Sequence, residues 1–215
     1  MTGIRLLALA AIAGLAASCG QAADKTGLSH DHSAHAALSS APAAGSEQQA
    51  LVVFSDAAMQ DQTGAERHLQ SDVIGSRVVV VDFIFTSCQT ICPVTTSLLT
   101  EARGRLKDVP ADDLVFISMS VDSAVDTPER LAAFAASRKA DWTFLTGDKP
   151  VMDEALTWLN AYSTNPENHT AMILIGDAAT NRFSRIYGMP DPDFVEARVR
   201  ELIAARAQGA SLHSH

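Results

Sequence analysis

Cys88 and Cys92 are separated by Gln89-Thr90-Ile91 and followed at once by Pro93. They come straight after an apolar run, Val78 to Phe85, that only Asp82 interrupts. Such a run reads as a strand covered on both faces. The thiols then sit at the end of a buried strand, in an exposed position just before a helix. A helix N-terminus favours thiolate there. Thiolates so placed can exchange disulfides or hold a soft metal. The plainer alternative is a structural disulfide, but a spacing of four closes a tiny loop and gains little from chain entropy. A third donor stands much later, His169, just before the apolar run Ala171 to Ile175. Two thiolates and one imidazole make a three-coordinate set that Cu(I) accepts, whereas zinc wants a fourth ligand. Spacing alone does not bring His169 to the cysteines. A lone loop histidine reads otherwise as a solvated residue or a cap.

The elements that would position these residues alternate along the chain. Leu51 to Phe54 reads as a first strand, Asp61-Gln62-Thr63-Gly64 as a turn, and Arg67 to Leu69 as an edge strand. Asp82, inside the apolar run, needs a partner or a raised pKa if buried, and otherwise points to an edge or caps a neighbour. Pro93 suits a first helical position, so the next helix is expected to start there with Cys92 at its cap. Val94, Leu98, Ala102 and Leu106 give that helix its expected buried stripe. Leu114 to Val121 is a second buried strand, and Asp126-Thr127-Pro128-Glu129 opens a second helix with a cap and an early proline. Trp142 to Leu145 is a short strand; Val151, Ala155, Leu156 and Leu159 form a helical stripe. Tyr162 to Asn168 is a polar loop. Ala171 to Ile175 pairs with Arg182 to Tyr187 as a hairpin. Asp191 and Pro192 start a last helix, lined by Phe194, Val195, Val199, Leu202 and Ile203. This order predicts an α/β fold with a mixed sheet flanked by helices.

Both ends of the chain differ in character from this middle. Residues 1–18 carry Arg5 and then an uncharged apolar stretch, as a signal peptide does, too short to span a membrane. Leu15-Ala16-Ala17-Ser18-Cys19 looks like a bacterial lipobox, with Cys19 the acylated residue. That would account for the odd cysteine of the three. Residues 19–50 are small and polar and read as a flexible tether. Within it, His30, His32 and His35 form a short tract able to bind an auxiliary metal, or simply a polar tail. Residues 51–207 form the expected domain and 208–215 a tail ending in His213 and His215. An exported, membrane-anchored, periplasmic protein follows. The net charge of −9 gives no electrostatic case for nucleic acid or an anionic membrane surface.

Phe85-Thr86-Ser87-Cys88-Gln89-Thr90-Ile91-Cys92-Pro93 resembles the Phe-Thr-x-Cys-x-x-x-Cys-Pro signature of the Sco/SenC family. Val121-Asp122 with Asp126-Thr127-Pro128-Glu129, the Asn168-His169-Thr170 segment before a strand, and the early Asp61-Gln62-Thr63-Gly64 turn resemble its other motifs, in order, from about residue 51 to 205. The resemblance implies a thioredoxin-like fold and copper, Cu(I) or Cu(II), held by Cys88, Cys92 and His169. It implies a metallochaperone rather than an enzyme, delivering copper to a membrane-bound copper protein such as the CuA site of oxidase subunit II. The alternative it carries is a thiol–disulfide oxidoreductase that reduces the target's cysteines, with Cys88 and Cys92 as redox pair and a thiol reductant as partner. A peroxidase and a non-catalytic interaction module are further classes, though nothing specifies a peroxide pocket. Many members carry Pro-Asp between the cysteines and Asp before the histidine. Gln89-Thr90 and Asn168 stand there in this chain, which implies fewer acidic groups around the metal.

Overall fold

The computed structural model describes residues 46–212. The signal segment, Cys19, His30, His32, His35 and the last three residues lie outside the described residues.

Strand β4 (Val78–Ile84) is the axis of the molecule, and all seven of its residues are buried. It runs parallel to β5 (Leu114–Ser120), which runs parallel to β6 (Thr143–Thr146). On its other side β4 pairs antiparallel with β7 (Met172–Asp177), which forms a hairpin with β8 (Arg182–Tyr187). Gly176 is needed in that hairpin, because a Cβ there would meet the Arg182 carbonyl and the Phe183 ring well inside van der Waals distance. With β1 (Glu47–Leu51), β2 (Ala58–Asp61) and β3 (Glu66–His68), the eight-stranded order is β1-β8-β7-β4-β5-β6-β2-β3. Helices α1 (Ile91–Arg105) and α2 (Pro128–Arg138) are the crossovers of the two parallel pairs. The remaining helices are α3 (Lys149–Trp158) and α4 (Pro192–Leu212). Helix α1 packs on α4, α4 also covers β7 and β4, α2 lies on β6, and α3 on β2. This is the mixed sheet with flanking helices expected from the alternation of elements.

Several local expectations are corrected. The first strand is Glu47–Leu51, not Leu51 to Phe54. It is an edge strand held by backbone pairing to β8, so its polar side chains carry no alternation to read. Val52 and Phe54 are buried beyond it, Phe54 edge-on to Phe183 with ring centroids 5.4 Å apart. Strand β3 ends one residue before Leu69, which opens a π-helical turn, Leu69–Ile74. Helix α1 begins at Ile91, which puts Cys92 inside its first turn instead of at the cap. Pro93 is still within that turn, where no backbone donor is lost from the ladder. The buried face of α1 is Cys92, Thr95, Thr96, Leu99 and Ala102, while Val94 is exposed and Leu98 only half-buried. Two inward-facing threonines disguise that face. In α4, Val195 and Val199 are buried, Leu202 and Ile203 pack partly, and Phe194 faces out.

Candidate metal and thiol site

Parallel strands β4 and β5 end side by side, and the loops that leave their C-terminal ends build the site. The β4 loop carries Phe85 to Thr90. The β5 loop carries Val121 to Thr127. Asp126, buried in the second loop, fastens the first. One of its oxygens accepts from the Thr86 amide at 3.1 Å and from the Thr86 hydroxyl at 2.5 Å. The other accepts from Ser120 Oγ at 2.7 Å. Arg130 of α2 donates from Nε to Thr86 Oγ1 at 3.0 Å. The residue two positions before Cys88 is thus anchored on both its amide and its hydroxyl. Thr127 is the side chain that caps α2, accepting from the Arg130 amide. That leaves Asp126 free for the loop.

The two thiols are free and both are buried, which corrects the expectation of an exposed pair: Cys88 is 7% and Cys92 2% accessible. Their surroundings differ. Cys88 Sγ accepts from the Cys92 amide at 3.4 Å and lies 3.9 Å from Thr90 Oγ1. Burial alone would raise the Cys88 pKa, but hydrogen bonds from Cys92 and Thr90 outweigh it and bring the thiol below its ordinary value. The cap residue Thr90 and the first turn of α1 supply those donors. Cys92 goes the other way. Burial pushes its pKa far up, helped by the neighbouring Cys88 and by Asp82 in β4. The pair is therefore asymmetric: a Cys88 thiol at the wall of a cleft that loses its proton more readily than an ordinary thiol, and a Cys92 thiol behind it that holds its proton.

Antiparallel pairing brings the histidine to the same end of the sheet. Asp82 is opposite Ile173, and carrying that register four residues onward brings His169 level with Thr86. His169 follows a one-turn 3₁₀ helix, Pro166–Asn168. Its Nδ1 is 2.8 Å from the Pro166 carbonyl, so Nδ1 carries the proton and Nε2 keeps its lone pair. The ring stands edge-on to Phe85, with centroids 5.6 Å apart. Phe85, Cys88, Thr90, Glu167 and His169 together line a cleft of about 340 Å³. Cys88 and His169 share this cleft, and Cys92 does not line it. Among the described residues, no three His, Cys, Asp or Glu side chains converge closely enough to hold a metal ion.

Asp82 is buried at 1% accessibility in mid-sheet, so it neither lies at an edge nor caps a neighbour. Ser118 Oγ donates to its Oδ1, and Trp142 Nε1 donates to Ser118 Oγ at 2.9 Å. Its Oδ2 has no hydrogen-bond partner among the described residues. Burial pushes its pKa up to about 7, against the opposing Ser118 hydrogen bond. Glu167 escaped the sequence reading, and Thr86 and Asp126 were read only as members of motifs, without the contact between them. Asp126 was legible as part of a helix start and of a family motif, but its contact to Thr86 joins residues 40 apart.

The sequence model of the SCO1/SenC family matches residues 47–204. The chain is 36% identical over 119 residues to the SCO1 protein homolog of Bacillus subtilis (strain 168), covering 53% of this chain and 60% of that relative. It therefore spans less than two thirds of that relative's length. Among solved structures it is similar to BsSco, described as a member of the Sco family of cytochrome c oxidase assembly proteins with a disulfide switch. That likeness has a TM-score of 0.57 and 29% identity over 69% of this chain and 93% of the other. Its fold also matches Bradyrhizobium japonicum ScoI with copper bound, with a TM-score of 0.60 and 21% identity over 70% of this chain and 99% of that one.

Proposed function

Since the chain belongs to the SCO1/SenC family, we propose that it is an exported copper-binding assembly protein whose cargo is held by Cys88, Cys92 and His169. The observation that carries this reading is the shared cleft: Cys88 and His169 come from loops 81 residues apart, yet both line it. The donor chemistry fits. Two thiolates and an imidazole are soft to borderline ligands, suited to copper in either oxidation state and unsuited to magnesium or calcium. Each side chain has a defined task. Cys88 is the thiol that ionises more readily, because hydrogen bonds from Cys92 and Thr90 lower its pKa. Cys92 must release its proton as cargo binds, so loading is coupled to proton release. His169 offers Nε2, with its tautomer fixed by the Pro166 carbonyl. The three donors do not converge closely enough to hold the ion before loading, so binding must draw them together around it. The Bradyrhizobium japonicum neighbour that shares the fold was solved with copper bound.

On this reading the cargo goes to a membrane-bound copper protein such as oxidase subunit II. A lipid on Cys19 would hold the domain at the periplasmic face of the inner membrane, near that target. Anaerobic titration of the reduced protein with Cu(I) tests the ligand set. One copper should bind per chain, and Cys88→Ser and His169→Ala should each weaken it; unchanged affinity in His169→Ala removes His169 from the set.

The thiol asymmetry favours a second reading, a thiol–disulfide oxidoreductase. A poised Cys88 can attack a target disulfide, and the protonated Cys92 can resolve the mixed disulfide, with an external thiol reductant restoring the pair. The two readings part at His169. If copper delivery is the task, His169→Ala leaves the target's copper site empty in cells. If reduction is the task, His169→Ala stays competent, and added copper does not rescue Cys88→Ser.

A further inference from the structure

Among the residues lining the cleft, Glu167 is the one side chain with a fixed charge. Its placement is rigid at the backbone and open at the tip. Asn165 Oδ1 accepts the Glu167 amide at 3.0 Å, and the amides of Asn168 and His169 close the same turn onto the carbonyls of Asn165 and Pro166. Glu167 and His169 are thus two residues apart on one pinned turn. The Glu167 carboxylate is exposed and makes no hydrogen bond or ion pair among the described residues. Thr90 and Asn168, beside the cysteines and the histidine, bring no charge, so Glu167 is the acidic group that the cleft wall provides.

We propose that Glu167 sets the oxidation-state preference of the cleft by adding a carboxylate oxygen to Cys88, Cys92 and His169 when the cargo is Cu(II). This inference rests on the copper reading given above. Carboxylate is a hard donor, and Cu(II) favours tetragonal sites that include nitrogen and oxygen. Cu(I) is satisfied by soft donors at low coordination number and gains little from a carboxylate. Two thiolates, an imidazole and one carboxylate make a four-donor set that matches Cu(II). Without Glu167 the three remaining donors suit Cu(I). No other charged side chain lines the cleft to compete for the carboxylate or to screen it.

The test is Glu167→Gln, which keeps the size of the side chain and removes the charge. Chelator competition under anaerobic conditions measures Cu(I) and Cu(II) affinity of the full chain separately. Loss of a carboxylate in or next to a donor set costs about 10- to 100-fold in metal affinity. Cu(II) affinity should therefore fall by about that factor, while Cu(I) affinity changes less than about twofold. The Cu(II) electron paramagnetic resonance spectrum should shift in its parallel hyperfine coupling, and Glu167→Asp should recover part of both effects. An unchanged Cu(II) affinity, or an equal loss for both oxidation states, overturns the proposal. If the unsubstituted protein binds both states and only the Glu167→Gln ratio fails to move, the copper reading stands and this inference falls. If the unsubstituted protein binds neither state, both fall together.

Discussion

Replacing Asp82 by Asn should change how stability depends on pH, and by an amount the structure sets. Asp82 is fully enclosed in the sheet, and burial moves its pKa from 3.8 in an exposed carboxyl to about 7. Between those values the folded protein keeps a proton that the unfolded chain has lost. Stability must then fall as pH rises through that window, and level off above pH 7, where both states are ionised. Each pH unit inside the window costs about 1.4 kcal/mol. From pH 5 to pH 8 the ionisation of Asp82 therefore costs the wild type about 3 kcal/mol. Asn cannot ionise and escapes this cost, although its amide takes the place of the unpartnered Oδ2 and loses about 1 to 3 kcal/mol at every pH. That constant loss cancels when the two pH values are compared. Urea unfolding of the reduced protein at pH 5 and pH 8, followed by tryptophan fluorescence, reads the difference directly. Trp142 reports on the same hydrogen-bonded chain through Ser118. Asp82→Asn should gain about 3 kcal/mol on wild type between the two pH values. An equal gap between variant and wild type at both pH values would refute the buried, raised carboxyl.

Three other outcomes follow from the site. Alkylation of single-cysteine variants should separate the thiols: Cys88, left alone in Cys92→Ser, should react with an apparent pKa below that of a free thiol, while Cys92 in Cys88→Ser should stay slow. Asp126→Ala leaves the half-buried donors of Thr86 and the buried hydroxyl of Ser120 without their acceptor, and should cost about 2 to 3 kcal/mol in urea unfolding while raising hydrogen exchange in the cysteine loop; exchange confined to the β5 loop would count against this tie. Mass spectrometry of the mature protein should find an acylated Cys19 as the first residue, and an unmodified start beyond residue 19 would leave the domain unanchored.

The parts of the molecule that announce themselves are those whose cause is local. Strands β4 and β5 are continuous apolar runs, and burial on both faces needs nothing else to be recognised. Cys88, Cys92 and Pro93 announce two thiols at a helix start within a few residues, whereas His169 on its own reads only as a loop residue before an apolar strand. Features with non-local causes were illegible. Strand β1 exists because β8 offers it backbone partners, which polar side chains such as Gln48 and Gln49 do not reveal. The inward face of α1 is fixed by where Cys92 must sit, and Thr95 and Thr96 follow it into the core despite their hydroxyls. The retreat of both thiols beneath the surface depends on how the β4 loop is tied to Asp126. The acidic group in the cleft came from Glu167 because a turn, not a strand, presents it.

X-ray absorption at the copper edge of the reduced, Cu(I)-loaded protein tests the central claim most directly. The account predicts one copper per chain with two sulfur neighbours and one nitrogen neighbour, and loss of the imidazole scattering in His169→Ala with both sulfurs retained. Sulfur-only coordination in the wild type, or a spectrum that His169→Ala leaves unchanged, would contradict it.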